Sequence, residues 1–371
     1  MRLKTFYKLA IKPLAKPLSF SHQYTSIKNH PLVKNFLGPN QKVRFITTHV
    51  NSHVQILILG SPETHALTTG FLDWQNSRLQ FSPARLHTGP RRSFDAAIAC
   101  LQGLQLPPVA NILNRLDKME SQLLLVDLLR EGQKTQIQEA IYHLYRQQPA
   151  NIILSIYHIP DNTTPLTRRS KLAPPNLEGV NPETNNTLIL SDLIAGGVHQ
   201  FYSLQFLFKK LPKIKQIIFV SPFLSQYGAL ALARFLKNKK VKALFIGYGA
   251  LLNSNPPEMY FSPTPVNEPQ RFANPQHVKL MDHIYGKTAT TLGVGGDWTA
   301  MFLAPELGLD CFKKELAQQK LTIKAIKKRL PSLKRVNELG FSFKELTPAS
   351  TYFEAIKVSQ LPQLQKALKN S

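Results

Sequence analysis

The chain has 371 residues, of which 43% are hydrophobic and 18% charged, and its formal net charge is +24. That length allows a sizeable core and more than one domain, and no uninterrupted apolar run is long enough to cross a bilayer as a helix. Two cysteines, Cys100 and Cys311, provide neither a disulfide framework nor a metal-ligand spacing, and read as small buried apolar residues in a reducing compartment.

The positive charge is uneven. Residues 1–62 hold nine Lys/Arg and no acid. Between Asp192 and Glu258 nine more cations occur without an acid, and from Cys311 onward thirteen cations face four acids. Such surfaces attract polyphosphates, nucleic acids, anionic headgroups or an acidic protein partner through fields that salt screens. A general basic bias without a specific partner is the alternative.

The opening stretch, MRLKTFYKLAIKPLAKPLSFSHQYTSIK, places Leu3, Phe6, Leu9 and Ala10 at helical spacing. Its composition is that of a mitochondrial presequence; a basic tail on a cytoplasmic protein is the other reading. Pro13 and Pro17 end any helix near Leu14. Residues 1–50 are therefore expected as a basic tail. VQILIL (54–59) followed by Gly60-Ser61-Pro62 predicts a buried strand and a turn. From 93 to 148 the apolar spacing is helical, through NILNRLDKMESQLLLVDLLREG with Gly132 as its C-cap and then QIQEAIYHLYRQ. Residues 51–150 are thus expected as a mixed, largely helical region without chemistry.

At Asn151 the rhythm changes. IILSIYH (152–158), TLILS (187–191), QIIFV (216–220) and ALFIG (243–247) are short apolar runs. FYSLQFLFKK and SQYGALALARFLKN, which lie between the last three, have helical patterns. The alternation predicts βαβ units and an open, mainly parallel sheet of the Rossmann-like kind over residues 151–304. Residues 161–186 read as an exposed excursion. The proline-dense stretch 253–275 reads as an extended flap over the strand ends.

Ligands bind such sheets at the carboxyl edge. The loop Ser191-Asp192-Leu193-Ile194-Ala195-Gly196-Gly197-Val198-His199 leaves a strand, passes two glycines and enters a helix. Glycines admit a phosphate close to the backbone, the helix start adds positive potential, and Asp192 can accept from sugar hydroxyls. Further loops are Val220-Ser221-Pro222-Phe223-Leu224-Ser225, with Ser225 as a helix cap, and Gly247-Tyr248-Gly249-Ala250. Gly293-Val294-Gly295-Gly296-Asp297-Trp298 could wrap a planar ligand, Asp297 bonding its edge and Trp298 stacking on it; a tight turn that buries Trp298 is the alternative. His199, His277 and His283 do not form a metal set.

The run from Leu188 to Gly197 resembles the phosphoribosyl-pyrophosphate loop of phosphoribosyltransferases, which follows an apolar strand with two acids, two apolar residues and Ala-Thr-Gly-Gly-Thr. The uracil enzymes are nearest in spacing, since QIIFV, a Ser-Pro turn, a helix, ALFIG and a Gly/Asp segment follow in order. Ser191 stands where the first acid is expected, Gly196 where Thr is, Val198 where the second Gly is, and His199 where the final hydroxyl is. The resemblance implies a phosphoribosyltransferase-like core, with Asp192 on the ribose and Ala195, Gly196 and Gly197 around the 5′-phosphate. Ser191 and His199 belong to the same loop, and Gly295, Gly296, Asp297 and Trp298 form the base site. It also implies Mg²⁺ as cofactor in an active member.

Past residue 305 a weak repeat of period ten begins at Thr322, Ser332 and Ser342, predicting a C-terminal module of short basic helices over 305–371. Three functions compete on this reading: a phosphoribosyl transferase, a non-catalytic relative that binds a nucleotide or sugar phosphate, and a basic nucleic-acid-associated protein.

Overall fold

The structure is a computed structural model that describes residues 6, 17–29, 34, 38–69, 72–75, 78–81, 89–129, 132–159, 169–255, 260–262 and 273. Its strands, in chain order, are β1 (Ser21–Lys28), β2 (Asn40–Asn51), β3 (Val54–Gly60), β4 (Leu72–Gln75), β5 (Arg78–Phe81), β6 (Leu123–Leu128), β7 (Ala150–Leu154), β8 (Ile156–Ile159), β9 (Arg169–Leu172), β10 (Thr187–Ser191), β11 (Gln216–Ser221), β12 (Leu224–Ser225), β13 (Lys242–Tyr248), β14 (Leu251–Asn255) and β15 (Tyr260–Ser262). The helices are α1 (Pro62–Thr69), α2 (Gly89–Leu104), α3 (Pro107–Leu113), α4 (Met119–Gln122), α5 (Ile137–Tyr145), α6 (Val198–Lys210) and α7 (Gln226–Asn238).

Strands made almost wholly of Ile, Leu, Val and Phe must be covered on both faces, and they are. One eight-stranded sheet runs β1-β2-β3-β13-β11-β10-β6-β7. Every neighbouring pair from β3 to β7 is parallel, while β1 and β2 add antiparallel strands beyond β3. Helices α6 and α7 cover one face, where Phe201, Leu204 and Phe235 join a core with Leu190 and Phe219. Helices α2, α3 and α5 cover the other, packing Ala99, Val109 and Ile141 against Leu125 and Ile189. The expected α/β class and mainly parallel sheet are present.

Chain order fixes a direction change. From β6 the chain steps outward to β7, then crosses back over β6 to β10 and continues to β11 and β13. Right-handed crossovers that reverse direction must put their helices on opposite faces. That is the arrangement seen, with α5 on one side and α6 and α7 on the other.

Four expectations are corrected. Residues 1–50 are more than a tail, because β1 and β2 extend the sheet. LLLVDL, expected as helix, is β6 and is buried along its whole length. A strand enclosed on both faces shows no alternation, and the helices flanking it lent their spacing to the run. Residue 150 is consequently no boundary in the sheet, since β3 and β6 pair with strands from beyond it. Gly132 does not cap a helix; it opens the 3₁₀ turn Gly132–Thr135. Of the proline-rich flap, Ala273 lies against the carboxyl edge: its N–H donates to Gly249 O at 2.8 Å, and a Cβ on Gly60 would stand 2.7 Å from its own Cβ. The C-terminal module (305–371) and Gly295, Gly296, Asp297 and Trp298 lie outside the described residues. Among the described residues, no single helix is long and apolar enough to cross a membrane.

Candidate functional site

The direction change falls between β6 and β10. At such a point the connections leave neighbouring strands on opposite sides and open a crevice at the carboxyl edge. The two strand tips there carry an unusual pair. Register places Asp127 opposite Ser191, in a row that across the parallel strands is otherwise made of Ile153, Val220, Ile246 and Leu57. Ser191 Oγ donates to Asp127 Oδ1, and Asn151 Nδ2 donates to Oδ2 at 3.1 Å. Burial pushes the Asp127 carboxyl above the usual carboxylate range, and these two hydrogen bonds oppose that rise. Burial, and then the charge of Asp127, likewise raises the neighbouring Cys100 thiol, so it is an inert core residue. The loop after β6 folds onto this pair: a Cβ on Gly132 would lie 2.5 Å from Ser191 O and 2.9 Å from its Oγ.

Asp192 follows, 2% exposed, with Oδ2 accepting from Gln200 Nε2. Gln200 sits in the first turn of α6 and also donates to Leu193 O at 3.2 Å, which ties the loop to its own helix. The loop is then stitched to the next one. Ile194 N donates to Phe223 O at 2.9 Å, Ser225 N to Ile194 O at 2.8 Å, and Ser221 Oγ accepts from Ile194 N at 3.0 Å. Ser225 performs the expected cap, accepting from Gly228 N at 2.9 Å, and its hydroxyl donates to Ala195 O.

The stretch 195–198 is different. Gly197 has φ +74 and caps α6 without a side chain. A side chain there would be strained and would press on Gly228 O and Leu232 Cγ, each 3.2 Å from its Cβ. Among the described residues, the N–H groups of Ala195, Gly196, Gly197 and Val198 donate to no acceptor. Successive free amides at a helix start form a concavity suited to an anion. His199 lies one residue into the helix, half-buried, its carbonyl accepting from Ser203 Oγ at 2.9 Å.

No protein-family model matches the sequence, and no curated protein matches it. Among solved structures, adenine phosphoribosyl transferase from Trypanosoma brucei, in complex with AMP, pyrophosphate and ribose-5-phosphate, is similar at 9% identity. That match has a TM-score of 0.31 and covers 52% of this chain and 83% of that one. Orotate phosphoribosyltransferase from Francisella tularensis is similar at 13% identity, TM-score 0.27, over 49% of this chain and 83% of the other. Likenesses this distant carry no argument, and the site rests on the strand order and the loop geometry above.

The structure therefore brings Ser191, Asp192, Ala195, Gly196, Gly197 and His199 together on one strand-to-helix connection beside β6. Ser191, with 0% exposure, faces Asp127 inside the protein. Asp127 itself escaped the sequence reading; the signal available was one carboxylate inside an unbroken apolar run. Among the described residues, no group of three or more His, Cys, Asp or Glu side chains could hold a metal ion. Mg²⁺ commonly binds through one or two carboxylates with substrate phosphates. Here the loop offers one carboxylate, Asp192, whose Oδ2 already accepts an N–H, and no step is routed through the ion.

Proposed function

We propose that this is a phosphoribosyltransferase-like protein that binds a ribose phosphate or a nucleotide on the 191–199 loop. The observation that carries the reading is the reversal of strand order between β6 and β10, at the root of that loop. The unbonded amides from Ala195 to Val198 fit a phosphate, and Asp192, held in place by Gln200, fits a sugar hydroxyl. The base is assigned to Gly295, Gly296, Asp297 and Trp298, as the sequence pattern suggests.

A non-catalytic ligand binder is the second reading, and one observation favours it over a transferase. Where the transferase loop has a first acid this chain has Ser191, whose hydroxyl is turned inward to Asp127. Glycosyl transfer develops positive charge on the sugar and needs anionic groups facing it; the loop supplies Asp192 alone.

Calorimetry tests both. A nucleoside monophosphate and phosphoribosyl pyrophosphate should each give a saturable heat that inorganic phosphate competes away. Asp192→Asn keeps the shape of the side chain and should weaken binding by about ten- to a hundredfold, the worth of one charge-assisted hydrogen bond. Absence of heat with either ligand at millimolar concentration would overturn the proposal. Release of pyrophosphate with an added nucleobase, lost in Asp192→Asn, would select the transferase; binding without release selects the second reading.

A further inference from the structure

Helices in βαβ units run against the strands, so helix ends and strand starts meet at the amino edge of the sheet. In this chain that rule gathers cations which the sequence spreads over residues 209–242. Lys209 and Lys210 end α6, and Lys237, Lys239 and Lys240 close α7. Lys213 and Lys215 precede β11, and Lys242 begins β13. All are exposed.

Contacts show that they form one surface. The Lys239 ammonium lies 5.9 Å from the centre of the Phe208 ring, which sets the end of α7 against the last turn of α6. The N–H of Lys242 donates to Lys215 O at 3.0 Å, which joins the two strand starts. Lys213 pairs with Glu183. The other lysines of this edge have no ion-pair partner among the described residues, and no acid occurs between Asp192 and Glu258.

Helix dipoles explain cations in a last turn, hence Lys209, Lys210 and Lys237. They do not explain Lys215, Lys240 and Lys242, which lie beyond the helices and repel their neighbours. We propose that this edge binds the phosphate backbone of a nucleic-acid duplex without reading its sequence. Charge density calls for a polyanion, and ammonium groups are point charges that neutralise phosphates without the planar fork used to read bases. A single strand would need aromatic platforms for its bases, and a membrane would need apolar anchors. The exposed large apolar side chains among the described residues, Tyr24, Tyr142, Ile153 and Tyr157, belong to β1, α5, β7 and β8, none of which carries a lysine of this surface.

The test uses the full chain and a labelled 20-base-pair duplex, with binding followed by anisotropy across a salt series. Affinity should fall linearly on logarithmic axes as salt rises, independently of sequence. Lys237→Glu/Lys239→Glu/Lys240→Glu should weaken binding at least about tenfold and flatten the slope by about 3, roughly one for each phosphate that is no longer neutralised. Lys209→Glu/Lys210→Glu, on the other helix, should act the same way. These side chains are exposed, so circular dichroism and thermal unfolding of both variants should match the parent. Unchanged affinity in both variants, or no binding at low salt, overturns the proposal. So does tighter, variant-sensitive binding to vesicles of phosphatidylserine and phosphatidylcholine. Nucleoside monophosphate titration is expected to be unaffected by these variants, which separates this edge from the site on the opposite edge.

Discussion

Gly228→Ala should lower stability by about 2 kcal/mol, although alanine is the better helix former. At a helix interior the exchange is favourable by about 1 kcal/mol, and less in a first turn, where Gly228 lies. The added Cβ would collide with the carbonyl oxygen of Ala195 and stand 2.7 Å from Ile194 Cγ2. One of these partners is backbone, fixed by the Ser225 hydroxyl and by the Ile194–Leu224 bridge, so no rotamer change relieves it. Overpacking of this kind costs about 1–3 kcal/mol and wins at its upper end. Denaturant midpoints check the sign, and a stabilised variant would show that the 191–199 loop is looser than described. Because the collision falls on Ala195, nucleotide affinity should drop with stability.

Asp127 gives the second large effect. Asp127→Ala strands the Ser191 hydroxyl and the Asn151 amide in the interior, and should cost about 3 kcal/mol from two unsatisfied donors and a small cavity. Asp127→Asn is expected to be mild, because Asn151 Oδ1, buried without a hydrogen-bond partner, can accept the new amide after a flip of the Asn151 side chain. The two proteins should differ in pH dependence. Burial raises the folded-state pKa of Asp127, so the folded form holds its proton where the unfolded chain, near 3.8, has released it. The contribution to stability is present below that ordinary value and is lost as pH rises toward the elevated one. Unfolding free energies measured across this interval should therefore fall in the parent relative to Asp127→Asn. A parallel pair of profiles would mean that Asp127 is not the buried group described.

What the sequence revealed and what it hid divide along one physical line. Strands β10, β11 and β13 were readable because each is an apolar run ended by turn residues, and α6 and α7 because their apolar stripes recur at helical spacing. Ser225 announced its cap by being the hydroxyl residue just before such a stripe. β6 was hidden by its own centrality: with both faces covered it has no alternation, and α4 abuts it without a break. Losing β6 also hid the direction change and Asp127. β1 was hidden for the opposite reason, since as an edge strand it buries Ile27 and leaves most of its residues exposed. The 191–199 loop was legible as a motif. That its first side chain turns inward, toward a carboxylate 64 residues earlier, depended on register that no local pattern encodes.

Everything proposed for the site depends on an anion settling on the free amides beside β6. The direct measurement is an amide-shift titration of isotope-labelled protein with a nucleoside monophosphate, read residue by residue. The account predicts that the amide signals of Gly196, Gly197 and Val198 move furthest and saturate together with that of Asp192. Saturating shifts confined to other parts of the sheet, with these signals still, would contradict it.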